Sequence, residues 1–205
     1  MKKTAILTAL LAISATSTAN ADNFKGWAVG AEINSVKHEA TMPVQVYNNY
    51  YSGHVDLNTT SSRKVSVGGF GQFAFTFAQK FTGIAEIKFR SGGSKSTHSA
   101  VADYYVKEKA NFSATYAQGY QITDKILPYV KIGYAVSSLD IQDSYKSDTI
   151  GAHGVIYGLG VKYSITPNVI AGLEYTKARL EDSSASTSDY KVKLDNIGLN
   201  VSYRF

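Results

Sequence analysis

The final ten residues, Asn196 to Phe205, read NIGLNVSYRF. Ile197, Leu199, Val201, Tyr203 and Phe205 alternate with Asn196, Gly198, Asn200, Ser202 and Arg204, so an extended chain here has one wholly apolar face and one wholly polar face. With 44% hydrophobic residues overall, chance produces that arrangement in a given phase about once in a thousand. A strand of this kind fits a soluble sandwich, a soluble barrel or a barrel whose apolar face meets lipid, and this stretch alone does not choose.

Lys2 and Lys3 precede an apolar run from Ala5 to Ile13, and Ala19-Asn20-Ala21 supplies the small residues a signal peptidase needs. This predicts a secretory signal over residues 1–21, cut before Asp22, and one domain over 22–205. The run is far short of the roughly 20 apolar residues of a spanning helix. Loss of the two lysines lowers the formal charge from +5 to +3, too small and too scattered to argue for nucleic acid. The chain has no cysteine, so disulfides, zinc–thiolate sites and cysteine nucleophiles are excluded. No later segment is long and apolar enough for a transmembrane helix, so a membrane-embedded form requires a closed barrel, in which every backbone group is paired.

Alternation recurs over Gly26–Ser35, Val65–Phe77, Phe81–Arg90, Ala110–Gly119, Pro128–Ser137, Val155–Ser164 and Val169–Thr176. Short turns at Gln79-Lys80, Thr123-Asp124-Lys125 and Thr166-Pro167-Asn168 alternate with long polar stretches, His38–Ser62, Ser91–Val106, Leu139–His153 and Glu181–Asp189, which read as loops. An even number of strands of about ten residues, joined by short turns at one end and long connections at the other, predicts an all-β fold: an eight-stranded antiparallel up-and-down transmembrane β-barrel.

A lipocalin-like barrel would have the reverse polarity, apolar inside and polar in water. The polar face carries Gly30, Gly68, Gly119, Gly133, Gly158, Gly160, Gly172 and Gly198 among Ser, Thr and Asn. A water-facing surface would carry long charged side chains, whereas a narrow lumen needs small ones, so the apolar face is predicted to meet lipid. Trp27, Phe77, Phe81, Tyr120, Tyr163, Tyr203 and Phe205 lie near the turn ends, where amphipathic rings favour a membrane interface. Glu32, Glu86, Lys131 and Glu174 each fall five or six residues above the turn end, a rise of roughly 17 to 20 Å, with Lys88 and Arg90 just above and Gln72 and Asn200 at similar heights. Acids and bases at one height in a narrow lumen are expected to pair, because an isolated charge there is costly to desolvate.

These features together resemble the small eight-stranded outer-membrane barrels of the OmpA-like transmembrane-domain and opacity-protein type, over essentially all of residues 22 to 205. The resemblance implies an outer-membrane location, contact with lipid and lipopolysaccharide, a monomer, and a lumenal plug of Glu86, Lys131 and Glu174 with Glu32 and Lys88 adjacent. It also implies that Tyr203 and Phe205 belong to the terminal signal read by the barrel-assembly machinery. The fold carries adhesins, lipid enzymes and structural proteins alike, so it does not by itself name a function.

The four histidines, His38, His54, His98 and His153, fall in loops or at a rim. His54 with Asp56 could share a metal and His153 could act as a base, but neither belongs to a ligand set or triad with recognisable spacing. No catalytic, cofactor or metal site is therefore expected. Tyr47, Tyr50 and Tyr51, with Asn48 and Asn49 between them, combine exposed aromatics with amides as adaptable contact surfaces do, and are candidates for a host or matrix ligand. They equally suit packing among loops or a headgroup-level position. The expected role is surface interaction or envelope integrity, with a narrow pore and a lipid-modifying enzyme as alternatives.

Overall fold

Among the described residues, ten strands form one antiparallel sheet: β1 (Gly26–Asn48), β2 (Tyr51–Thr60), β3 (Lys64–Ala78), β4 (Phe81–Ser91), β5 (Lys95–Thr97), β6 (Tyr105–Tyr120), β7 (Ile126–Asp143), β8 (Lys146–Ser164), β9 (Val169–Asp182) and β10 (Lys191–Arg204). The structure, a computed structural model, describes residues 23–48, 51–60, 62–78, 80–91, 95–97, 105–143, 146–182 and 191–205. The predicted signal segment lies outside them. Eight strands make the barrel wall in the order β1-β3-β4-β6-β7-β8-β9-β10, and β10 pairs back onto β1 from Ala28↔Arg204 to Thr41↔Lys191. The closed wall leaves no sheet edge within the lipid-facing band. At the turn end, Thr123 and Thr166 fold their turns in the same way, each hydroxyl accepting from the backbone N–H groups two and three residues on.

The polarity is inside out. Ile33 and Leu199 are 51% and 58% exposed, whereas Glu32 and Lys162 are 6% and 2% exposed. The outward rings gather near the turn end, where contacts run from Trp27 through Phe73, Phe75 and Phe77 to Phe81 and Tyr120. Inside, glycine makes room for large partners: a Cβ at Gly30 would overlap the Phe70 ring opposite it, and one at Gly160 would overlap Tyr129. Phe24 is buried at the turn-end mouth beside Leu127, Ile84 and Ile170. Gly26, with φ of 112°, then turns the chain into the wall.

Three of the predicted loops contain or continue strands. In place of a loop over His38–Ser62, β1 runs on to Asn48 and pairs with β2 in register from Glu39↔Thr60 to Asn48↔Tyr51. Likewise β7 and β8 stay paired to Asp143↔Lys146, and β5 adds a short strand to β6 within the stretch read as Ser91–Val106. The fourth stretch is bounded by β9 reaching Asp182 and β10 starting at Lys191, earlier than Asn196. Alternating polarity marks a strand only where one face meets lipid; beyond that level backbone pairing continues without the signal.

Candidate functional site: the ionic lumen

The odd-numbered positions around the wall, β1, β4, β7 and β9, supply Glu32, Glu86 with Lys88, Lys131 and Glu174 to one cluster. Lys88 Nζ lies 2.6 Å from Glu32, 3.5 Å from Glu86 and 3.1 Å from Glu174. Lys131 Nζ lies 2.8 Å from Glu86 and 2.5 Å from Glu174. β4 and β9 stand opposite each other in the eight-strand ring, so the Lys88–Glu174 pair crosses the lumen. The carboxylates are held from other sides as well: Asn34 donates to Glu32 at 2.8 Å, and the Tyr129 hydroxyl donates to Glu174 at 2.7 Å.

Two members, Lys162 and Tyr129, escaped the sequence reading of this layer, and so did the partner of Gln72, whose height that reading gives. Lys162 donates to Gln72 Oε1 at 2.6 Å, a second tie between opposite walls, and lies 5.6 and 5.7 Å from the centres of the Phe70 and Tyr129 rings. Its Cα pairs with Leu127, two residues above the turn, so strand height alone places it too low. Its long side chain reaches upward. Tyr129 and Gln72 were readable as inward positions, but nothing in their spacing named their partners. With Lys162 the cluster holds three acids and three lysines, a formal charge of zero.

Apolar layers flank it. Below lie Phe24, Ala74, Ile84, Ala117, Leu127 and Ile170 with the Tyr129 ring. Above, Val36, Ala135, Ala152, Ala178, Leu180, Val192 and Leu194 form a second packed group. Charges in such surroundings interact strongly and are costly to leave alone.

A second ionic group stands near the outer end. Arg90 Nη2 donates to both oxygens of Glu108, at 3.1 and 3.0 Å; His38 Nε2 is 3.2 Å from Glu108, and Ser137 donates to it at 2.9 Å. Asn111 in turn donates to Ser137 at 2.7 Å. His38 is thus a buried lumenal group on β1, against its expected place in a loop or at a rim. Glu108 was missed because alternation along β6 predicts that it faces out. The register shifts between Glu108 and Ala110, and that bulge at Lys109 turns Glu108 inward.

His153 lies on the outer wall with its ring 5.9 Å from that of Tyr134. His54 and Asp56 lie on β2, whose side chains are outside the description, and His98 is outside it altogether. Tyr47 and Tyr51 take part in the β1–β2 ladder by their backbones, and Tyr50 lies outside the described residues. Tyr203 and Phe205 stack edge to face at 5.4 Å, and the Phe205 N–H donates to the Trp27 carbonyl at 3.0 Å.

Comparison with known proteins gives a consistent picture of the wall. The family described as outer membrane protein beta-barrel domain matches residues 5–205. Among solved structures, neisserial surface protein A is 14% identical, with 88% of this chain and 98% of that one aligned at a TM-score of 0.53. Ail, the attachment invasion locus protein of Yersinia pestis, is 16% identical, over 86% of this chain and 99% of that one at 0.49. OprG of Pseudomonas aeruginosa is 15% identical, over 88% and 98% at 0.46. At these identities the likeness is one of fold. No curated protein matches the sequence.

Proposed function

The chain belongs to the outer membrane protein beta-barrel domain family, and from that premise we propose that it is a non-enzymatic monomer of the outer membrane acting by contact at the cell surface. The observation that carries this reading is the continuation of strand pairing beyond the lipid-facing band: β1 and β2 form ten further rungs, and β7 and β8 stay paired to Asp143↔Lys146. Both ladders stand at the end away from the short turns. Paired backbone presents side chains from a rigid base, which lowers the ordering cost of binding a partner.

The lumen supports the same reading. Two ties between opposite walls, Lys88–Glu174 and Lys162–Gln72, sit between apolar layers and act as a structural plug. Adhesion to a host or matrix ligand, with Tyr47, Tyr50 and Tyr51 among the contacts, is the specific form of the proposal. Cells bearing the protein should bind such ligands and lose that binding when Met42 to Thr60 is deleted. The deletion variant must still show the different migration of boiled and unboiled samples in dodecyl sulfate expected of an intact barrel. Unchanged binding by a folded deletion variant would refute the assignment to this hairpin, and modification of lipid by the purified protein would replace it with an enzymatic role.

A further inference from the structure

Residues 23–25 precede the wall and belong to no ladder, since the rungs of β1 begin at Gly26↔Ala74 on one side and at Ala28↔Arg204 on the other. They lie across the turn-end mouth. Asn23 Nδ2 donates to the Asp124 carbonyl at 2.8 Å, in the turn that leads into β7, the strand opposite β1 in the eight-strand ring. At the other end Arg204 joins the segment to its own side of the mouth: Nη1 donates to the Lys25 carbonyl at 3.0 Å and Nε to the Pro167 carbonyl at 2.9 Å. Between these ties Phe24 is 2% exposed, while Lys25 beside it is in the open.

The Phe24 ring enters an apolar cup. Ala74, Ile84, Ala117, Leu127 and Ile170, from β3, β4, β6, β7 and β9, pack as one group with Phe24 and the Tyr129 ring. They are lumenal positions of strands whose next lumenal positions are polar, among them Gln72, Glu86, Thr115 and Glu174. Phe24 is the member of the group that comes from outside the wall, and it closes the cup from the turn end. Just above, Lys131 pairs with Glu86 and Glu174, and Lys162 donates to Gln72. Water reaching those groups would weaken every pair among them.

We propose that residues 23–25 form a stopper, hinged at Gly26, that seals the lower lumen against water and small solutes and can leave the mouth while the wall stays closed. Gly26 holds a φ of 112°, a conformation that L side chains rarely adopt, so the change of direction between stopper and wall falls on the residue that takes it without strain. The stopper is held by one buried ring and the ties of Asn23 and Lys25, the wall by continuous ladders, so the first opens at far smaller cost than the second. With the stopper out, the crossing ties above still fill the lumen. The result is a blind vestibule and not a pore. The inference concerns the end opposite the hairpins and is independent of any surface ligand.

Because the chain has no cysteine, single thiols report the seal. Ser202 and Ser66 are buried, and their hydroxyls have no hydrogen-bond partner among the described residues, so cysteine replaces either with little disturbance. Ser202, level with Gly30, lies below the ionic layer, and Ser66, level with Asn34, lies above it. The probe is a small water-soluble methanethiosulfonate added to the protein folded in detergent. Ser202→Cys should react slowly, and Phe24→Ala in the same chain should speed the reaction about tenfold or more, the change expected for loss of a buried ring. Asn23→Ala should speed it about twofold to fivefold. Ser66→Cys should stay protected beside Phe24→Ala, and boiled and unboiled samples should still migrate differently, which separates an open mouth from an open barrel. Fast reaction of Ser202→Cys with Phe24 in place, no acceleration by Phe24→Ala, equal acceleration of both thiols, or loss of the migration difference in Phe24→Ala would each overturn the proposal.

Discussion

The lower ionic group has side chains that pair directly across the lumen, whereas the upper group gathers onto one carboxylate from one half of the ring, β1 to β7. Below, Lys88 meets three carboxylates and Lys131 two, so each acid of the Glu86–Glu174 pair has more than one cation. Above, a single carboxylate, Glu108, gathers Arg90, His38 and Ser137 from β4, β1 and β7. The facing side of the upper lumen, from β8, β9 and β10, is apolar: Ala152, Ala178, Leu180, Val192 and Leu194. A narrow lumen can therefore be filled either by charges spanning it or by charges leaning against a hydrocarbon wall. The two solutions should respond differently to loss of one member.

The largest effect is expected below. Lys131→Met leaves Glu86 and Glu174 sharing Lys88 between two apolar layers, and breaking a buried ion pair from one side costs about 3 to 5 kcal/mol. Urea unfolding from lipid vesicles, followed by the fluorescence of Trp27, the single tryptophan, should show a loss of that size. A variant as stable as the parent would mean that the crossing ties contribute nothing.

The upper group should yield less. Glu108→Gln keeps one oxygen for Arg90 or Ser137 and removes the charge, a change of about 1 to 3 kcal/mol for a buried charged hydrogen-bond partner. The same unfolding experiment ranks the pair: equal losses from Lys131→Met and Glu108→Gln would erase the distinction between spanning and one-sided groups.

How far each group was legible follows from the same geometry. Glu32, Glu86, Lys131 and Glu174 stand at matching distances from short turns, so counting residues along uninterrupted alternation brings them to one level. Glu108 stands beyond a bulge, and one inserted residue reverses every face past it. The wall was readable because lipid imposes a two-residue period on Ile33, Ile87, Ile132 and Leu199 alike. The β1–β2 ladder was not, because a strand outside the lipid has no such period to display. Ile84 and Ile170 were readable as inward positions, but a polar-face rule gives no reason to expect them to cap the charges. Register between distant strands, which pairs Gly30 with Phe70 and Gly160 with Tyr129, is a property of closure and not of any one stretch.

The smallest expected effect separates the bulge from the side chain at its centre. Lys109 points outward and pairs with Asp140 at 2.8 Å, and it is largely exposed. Such a pair contributes about 0 to 1 kcal/mol, so Lys109→Ala should unfold within that margin of the parent. Removing residue 109 altogether takes out the extra residue of the bulge and leaves Glu108 opposite Leu139 and Ala110 opposite Ser138, so plain alternation still turns Glu108 inward. The deletion should therefore lose clearly less stability than Glu108→Gln, close to the substitution at the same position. A deletion variant that loses as much as Glu108→Gln would show that Glu108 needs the bulge itself, and not only its place opposite Leu139, to reach Arg90 and His38.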